Sequence, residues 1–250
     1  PILGIQHRTV PLTLKNGFLP DLDAFTEKEW ETCQMFWINS PQNPTTAIAS
    51  KSYFEKLLKL AEKYGFLVCS DECYNEFYYA EKPASCLDFP NSDRWLVFKS
   101  LSKRSHMTGF RIGALISKNE EIIQLLRKQR SPSGVGSPTF IQKGAIKAWQ
   151  DESHVENNRK QYQLKRDLLK IGLVEKGFQV FGGDAGFYLW MSHPNFESAE
   201  SLATLFLDNG IMVTPGTVFG EEGEGFVRMV YCETQSVIEE VVEKLKDFKL

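Results

Sequence analysis

Short stretches rich in β-branched and aromatic residues alternate along this chain with longer ones whose apolar positions recur at helical spacing. In the first half, Met35–Asn39 and residues 66–70, 95–99 and 112–116 have the length and side-chain content of strands. Between the first two, Lys51–Tyr64 puts Phe54, Leu57, Leu58 and Ala61 on one helical face and closes at Gly65, a residue suited to a left-handed cap. Strand, helix and strand in series predict βαβ crossovers, and several of them predict a mostly parallel sheet with helices on its faces. Residues 9–13, TVPLT, form a further strand-like run.

The pattern changes in the second half. Residues 138–176 are mostly helical, interrupted by the polar DESHVENN. After them, residues 178–181, 186–191, 211–214 and 226–231 read as strands and 198–209 and 236–248 as helices, which predicts a smaller α+β unit. The expected fold is therefore α/β: a large domain over 1–145 built on a mostly parallel sheet and a small C-terminal domain over 146–250, the boundary falling within 131–165. Repeats and low-complexity tracts are absent.

Composition narrows the function. The 250 residues are 42% hydrophobic and 24% charged with a net charge of −3, the balance of a globular protein with a real core. Lys and Arg are scattered and outnumbered, which argues against nucleic acid as partner and for small soluble molecules. Apolar runs fall well short of the roughly 20 residues that cross a bilayer, and the opening PILGIQHRTV lacks a signal-peptide layout, so no membrane role and a cytoplasmic location are expected. Five widely spread cysteines, Cys33, Cys69, Cys73, Cys86 and Cys232, predict reduced core thiols rather than disulfides or a metal site. The first residue is Pro1 rather than Met, which leads us to expect a preceding part.

In an open parallel sheet, ligands bind beyond the carboxyl ends of the strands. There the chain places Asn43 after the first strand, Asp71 and Tyr74 at the end of the second, and Ser100, Ser102 and Lys103 after the third. An amine, a carboxylate, a phenol, an amide and hydroxyls on one rim match the needs of pyridoxal phosphate. Its aldehyde takes a Lys as a Schiff base, its pyridine nitrogen a carboxylate, its ring hydroxyl neutral donors, and its phosphate hydroxyls plus an Arg fork, here Arg111.

Four motifs carry a resemblance: NPT at 43–45, D-x-x-Y at 71–74, SLSKRSHMTGFRIG at 100–113, and TPGTVFG with GEGFVRM within 214–229. With spacings of 28, 32, 8 and 117 between Asn43, Asp71, Lys103, Arg111 and Arg228, the chain resembles the fold-type I pyridoxal-phosphate enzymes of the class I/II aminotransferase family. The resemblance implies that Lys103 carries the cofactor and shuttles the α-proton, and that Asp71 backs the pyridine nitrogen. It gives Asn43 and Tyr74 to the ring hydroxyl, and Ser100, Ser102 and Arg111 to the phosphate. Arg228, with Asn43 beside it, would clamp the substrate α-carboxylate. It implies a homodimer that moves an amino group from an aspartate, alanine or N-succinyl-diaminopimelate type of donor to a 2-oxo acid such as 2-oxoglutarate. The family's N-terminal arm, the glycine-containing turn that caps the phosphate and the aromatic that stacks on the ring would precede Pro1. NPTT stands where the family more often has NPTG, putting Thr46 in place of a flexible glycine.

Several residues have alternative readings. Arg228 shares a strand face with Phe226 and Val230, so its guanidinium needs an anion, either a substrate or Glu222 or Glu224. Lys99, Arg104 and Arg111 surround Lys103 in sequence and would favour its neutral, basic form. Gly109 and Gly113 suggest close backbone approach. Trp37, Tyr188 and Trp190 are expected in the core, and His106 has no ligand-spaced partner. Ser100-x-x-Lys103 also matches the S-x-x-K of penicillin-binding enzymes, but K-T-G and S-D-N are missing. Two other functions stay open: a carbon–sulfur β-lyase using the same residues, and a non-catalytic fragment or interaction module.

Overall fold

The computed structural model describes residues 6–249. Its first layer is a four-stranded sheet in the order β1 (Met35–Asn39), β2 (Leu67–Asp71), β3 (Trp95–Ser100), β4 (Gly113–Ile116). The first three are parallel, with Asn39 beside Asp71 and Asp71 beside Phe98, so their carboxyl ends form a single rim. β4 returns antiparallel, Ser100 facing Gly113. The connection before it holds only α3 (Leu101–Arg104) and one 3-10 turn, too little for a crossover helix that would make the pair parallel.

Helix α2 (Lys51–Tyr64) forms as expected. Ser50 Oγ accepts the Tyr53 N–H at its start, and Gly65 ends it at φ 81°. Its buried Phe54, Leu57, Leu58 and Ala61 share a core with Phe36, Ile38, Val68, Trp95 and Val97 from the sheet and Trp30 from the short α1 (Glu27–Thr32). Because successive strand residues point to opposite faces, Phe36 and Ile38 meet α2 while Trp37 points away. Trp37 is 59% exposed and stacks on Phe98 at 5.1 Å, so its expected place in the core is corrected. The strand-like 9–13 run is not a strand. Pro11 has no N–H to donate, Thr13 N–H is taken by Asn16 Oδ1 at 2.8 Å, and the chain enters a 3-10 turn at Leu14–Asn16.

The helical middle of the chain comprises α4 (Glu120–Ser133), α5 (Thr139–Gln150) and the long α6 (Ser153–Glu175), with a corner at 151–152. A second, antiparallel sheet follows in the order β5 (Gln179–Phe181), β6 (Tyr188–Ser192), β8 (Phe226–Val230), β7 (Thr214–Pro215). It is covered by α6, α7 (Ala199–Asp208) and α8 (Gln235–Lys246) around Leu169, Leu173, Leu189, Met191, Leu202, Phe206 and Val227. The strand expected at 211–214 shrinks to Thr214–Pro215, since Ile211 is buried in the turn that leaves α7. Tyr74 and Phe77, from the loop after β2, belong to this second core.

Candidate functional site

The rim of the first sheet is built by backbone and amide bonds between neighbouring strand ends. Asn39 Nδ2 donates to Asp71 O at 3.0 Å, and Asn39 Oδ1 accepts the Asn43 N–H at 2.8 Å, so the NPTT turn hangs from the end of β2. Thr46 sits at φ 57°, an unfavourable region for a β-branched residue. Its Oγ1 accepts the Gly183 N–H at 2.7 Å, fixing the turn against the second sheet's entrance.

Asp71 is half-buried. One carboxylate oxygen accepts the Cys73 N–H at 3.1 Å. Burial pushes the Cys73 thiol up to about 12, as do Asp71's hydrogen bond and charge, while the nearby ammonium groups of Lys99 and Lys103 pull it down. Cys73 therefore stays a neutral thiol beside Asp71. Lys103, in α3, is half-buried with its Nζ 5.6 Å from the centre of the Phe187 ring.

Tyr74 is buried, its hydroxyl 3.0 Å from that of Tyr188. Burial pushes both phenols above their ordinary range, so both keep their protons at neutral pH. Arg228 reaches the same place from β8. Its Nη1 donates to Asn43 Oδ1 at 2.9 Å, its Nη2 lies 3.4 Å from Thr214 Oγ1, and its guanidinium is flanked by the rings of Tyr188 at 4.6 Å and Phe219 at 4.8 Å. Its buried Nε has no acceptor. Among the described residues Arg228 pairs with no carboxylate; Glu224 instead accepts the N–H groups of Ala199 and Gly225.

The phosphate set is looser. Ser100 caps α3 by accepting the Ser102 N–H at 3.1 Å, and strand pairing sets Ser100 against Gly113, two residues beyond Arg111. Arg111 is exposed in the left-handed region at φ 50°, and its Nη1 donates to Thr108 O of its own turn at 3.1 Å. The structure thus gathers Asn43, Asp71, Tyr74, Lys103 and Arg228, holds Ser100 and Ser102 at the adjoining strand end, and turns the Arg111 guanidinium aside. Two of the cations expected to crowd Lys103 are already paired, Lys99 with buried Glu72 at 2.8 Å and Arg104 with Glu152. Of the two glycines, Gly113 is closely packed: a Cβ there would lie 2.6 Å from Lys99 O. Gly109 is open, correcting that expectation.

Sequence reasoning missed Cys73, Thr214 and Phe219 and left Tyr188 in the core. The D-x-x-Y spacing could have pointed to Cys73, since a residue two beyond a strand-end acid is placed to donate its N–H to that acid. Tyr188 is both core and site, and no local signal separates the two.

This chain belongs to the class I and II aminotransferase family, whose pattern it matches over residues 2–245, a family of pyridoxal-phosphate enzymes of fold-type I. It is 36% identical over 246 residues to an LL-diaminopimelate aminotransferase of Aquifex aeolicus, covering 97% of this chain and 63% of that protein. It is 37% identical over 250 residues to an LL-diaminopimelate aminotransferase of Halothermothrix orenii, covering 98% of this chain and 64% of that one. Among solved structures, substrate-bound BacF from Bacillus subtilis superposes with a TM-score of 0.88 at 27% identity, covering 96% of this chain and 62% of that one. A Thermus thermophilus aspartate aminotransferase variant gives 0.84 at 27% identity over 94% of this chain and 65% of that one. The chain thus spans about 63% of the length of the curated relatives it matches.

Proposed function

We propose that this chain carries the cofactor- and substrate-binding core of a pyridoxal-phosphate-dependent aminotransferase. The observation that carries this reading is Arg228, held between two rings with an unspent Nε, bonded across the sheets to Asn43 on the rim that holds Asp71 and Lys103. A guanidinium kept half-buried without a carboxylate partner is suited to a substrate carboxylate. The donor set fits pyridoxal phosphate: one amine, one carboxylate, two neutral phenols, an amide and a capped hydroxyl strand end.

When bound, the cofactor supplies an electron sink that makes the α-proton of an amino acid labile. Lys103 would be the group that anchors it and moves that proton, from a one-turn helix beside the rim. Asp71, kept in place by the Cys73 N–H, holds a proton on the ring nitrogen. Tyr74 and Asn43 would donate to the ring hydroxyl as neutral groups, and Ser100, Ser102 and Arg111 would hold the phosphate. Arg228 would orient the amino acid through its carboxylate.

We assign the amino donor to the dicarboxylic, diaminopimelate-like class and the acceptor to 2-oxo acids such as 2-oxoglutarate. The diaminopimelate aminotransferases among its relatives support the donor class. A cytoplasmic homodimer divided near residue 145 completes the reading. The test is addition of pyridoxal phosphate followed by a donor screen. Lys103-dependent visible absorbance and 2-oxo-acid-dependent amino transfer are expected, both lost in Lys103→Ala. Absorbance that survives Lys103→Ala would remove that residue from its role, and release of pyruvate and ammonia without an acceptor would identify a β-lyase instead.

A further inference from the structure

The three residues that follow Lys103 are each fastened to α5 and α6, Arg104 and Ser105 at the corner between the two helices and His106 farther along α6. Arg104, 4% exposed, donates to Ala148 O at 2.7 Å and pairs with Glu152. Ser105 Oγ lies 2.8 Å from His154 Nε2, and His154 Nδ1 lies 3.3 Å from Asp151. His106 Nε2 is 3.2 Å from the Tyr162 hydroxyl. Burial, with Lys165 and His154 nearby, lowers the His106 pKa, while burial raises that of Tyr162, so a neutral imidazole accepts from a protonated phenol.

Ser105, His154 and Asp151 have the outline of a nucleophilic triad, but they lack its other half. The N–H groups around Ser105 are spent within the turn: those of Ser105 and Met107 on Leu101 O and that of His106 on Lys103 O. None is free to receive an oxyanion. The arrangement is a fastening.

Resting on the reading of Lys103 as the cofactor-anchoring amine, we propose that Glu152 and His154 are positioning residues that set the place of Lys103 from the α5–α6 corner. A helix of four residues has no stability of its own, because the first turn fixes several dihedrals for one hydrogen bond. Its location must come from tertiary ties, and three consecutive ones lie immediately after the amine. The 23-residue α6 carries Leu169 and Leu173 into the second core, so a single rod links the corner to the sheet that carries Arg228.

The test compares His154→Ala, His154→Gln and Glu152→Ala in the protein by two measurements. In amide exchange over residues 101–106, His154→Ala and Glu152→Ala are expected to raise rates about 10-fold, the effect of one lost hydrogen bond, with Tm little changed. His154→Gln, whose amide still reaches Ser105, is expected to stay near the unsubstituted rate. In capture of pyridoxal phosphate followed by absorbance, the same two variants slow capture about 10-fold and His154→Gln restores it. Unchanged exchange in both alanine variants overturns the proposal, as does unchanged capture despite faster exchange. If the unsubstituted protein shows no Lys103-dependent absorbance, the cofactor reading falls and exchange alone decides whether the corner fastens α3.

Discussion

Arg228 illustrates how one residue depends on its neighbours' chemistry. Its planar fork lies between two aromatic rings and gives one nitrogen to Asn43, an arrangement a point-charge ammonium cannot reproduce. Arg228→Lys is therefore expected to raise the KM for the amino donor roughly 100-fold, about 3 kcal/mol, with a smaller effect on kcat. Steady-state kinetics over a donor series will check it, and a KM unchanged within error would remove Arg228 from substrate binding. His106 gives a second outcome at this scale. Its lowered pKa means that below about 6.5 the unfolded chain takes up a proton that the folded chain resists, so this residue makes stability fall as pH drops through that window. His106→Asn, which tolerates the observed φ of 53° and does not titrate, is expected to flatten the acid side of a denaturant-derived stability profile. That Asn43, Asp71, Tyr74 and Lys103 follow strand ends was legible in the sequence, because strand ends can be located from periodicity. The orientation of the Arg111 guanidinium was not, since a long exposed side chain takes its direction from a local turn.

At the scale of elements, the strands and the α2 helix followed from alternation, amphipathicity and caps, and the structure places them within a residue or two. The failures have local causes. At 9–13 a proline and a side-chain bond displaced the ladder, and at 211–214 a buried turn residue mimicked a strand. The NPTT turn is held by contact as well as by sequence. A Cβ on Gly182, itself at φ 65°, would lie 2.3 Å from both Thr45 O and Thr46 Oγ1. Gly182→Ala is thus expected to cost about 2 to 4 kcal/mol and to lower Tm by several degrees. The same change at Gly134, where φ is 64° and a Cβ meets nothing within 4 Å, should cost only the backbone strain, about 1 kcal/mol. Thermal unfolding of the two variants side by side separates contact from conformation.

For the whole molecule, the change of pattern along the sequence led us to expect two units, but such a pattern does not say how its parts are sewn together. The loop after β2 crosses to the second unit: Tyr79 N–H donates to Asp184 O at 2.9 Å, Gly186 N–H to Phe77 O at 2.8 Å, and Tyr74 and Phe77 complete a core made mostly of residues beyond 160. Such long-range exchange leaves no periodic trace. The candidate site lies on this seam, with Asn43 and Tyr74 on one side and Arg228 and Tyr188 on the other, which explains why no stretch of sequence contains it.

The outward-facing Trp37 gives the molecule an intrinsic lamp. Trp30, Trp95 and Trp190 are buried and Trp149 is half-buried, so the red edge of the fluorescence and most of its quenching by acrylamide are expected to belong to Trp37, and to vanish in Trp37→Phe. Its strand, β1, has a neighbour on one side only among the described residues. Whatever polypeptide comes to lie over that face would shift this emission to the blue, which turns its coverage into a colour that can be followed in a cuvette without any label.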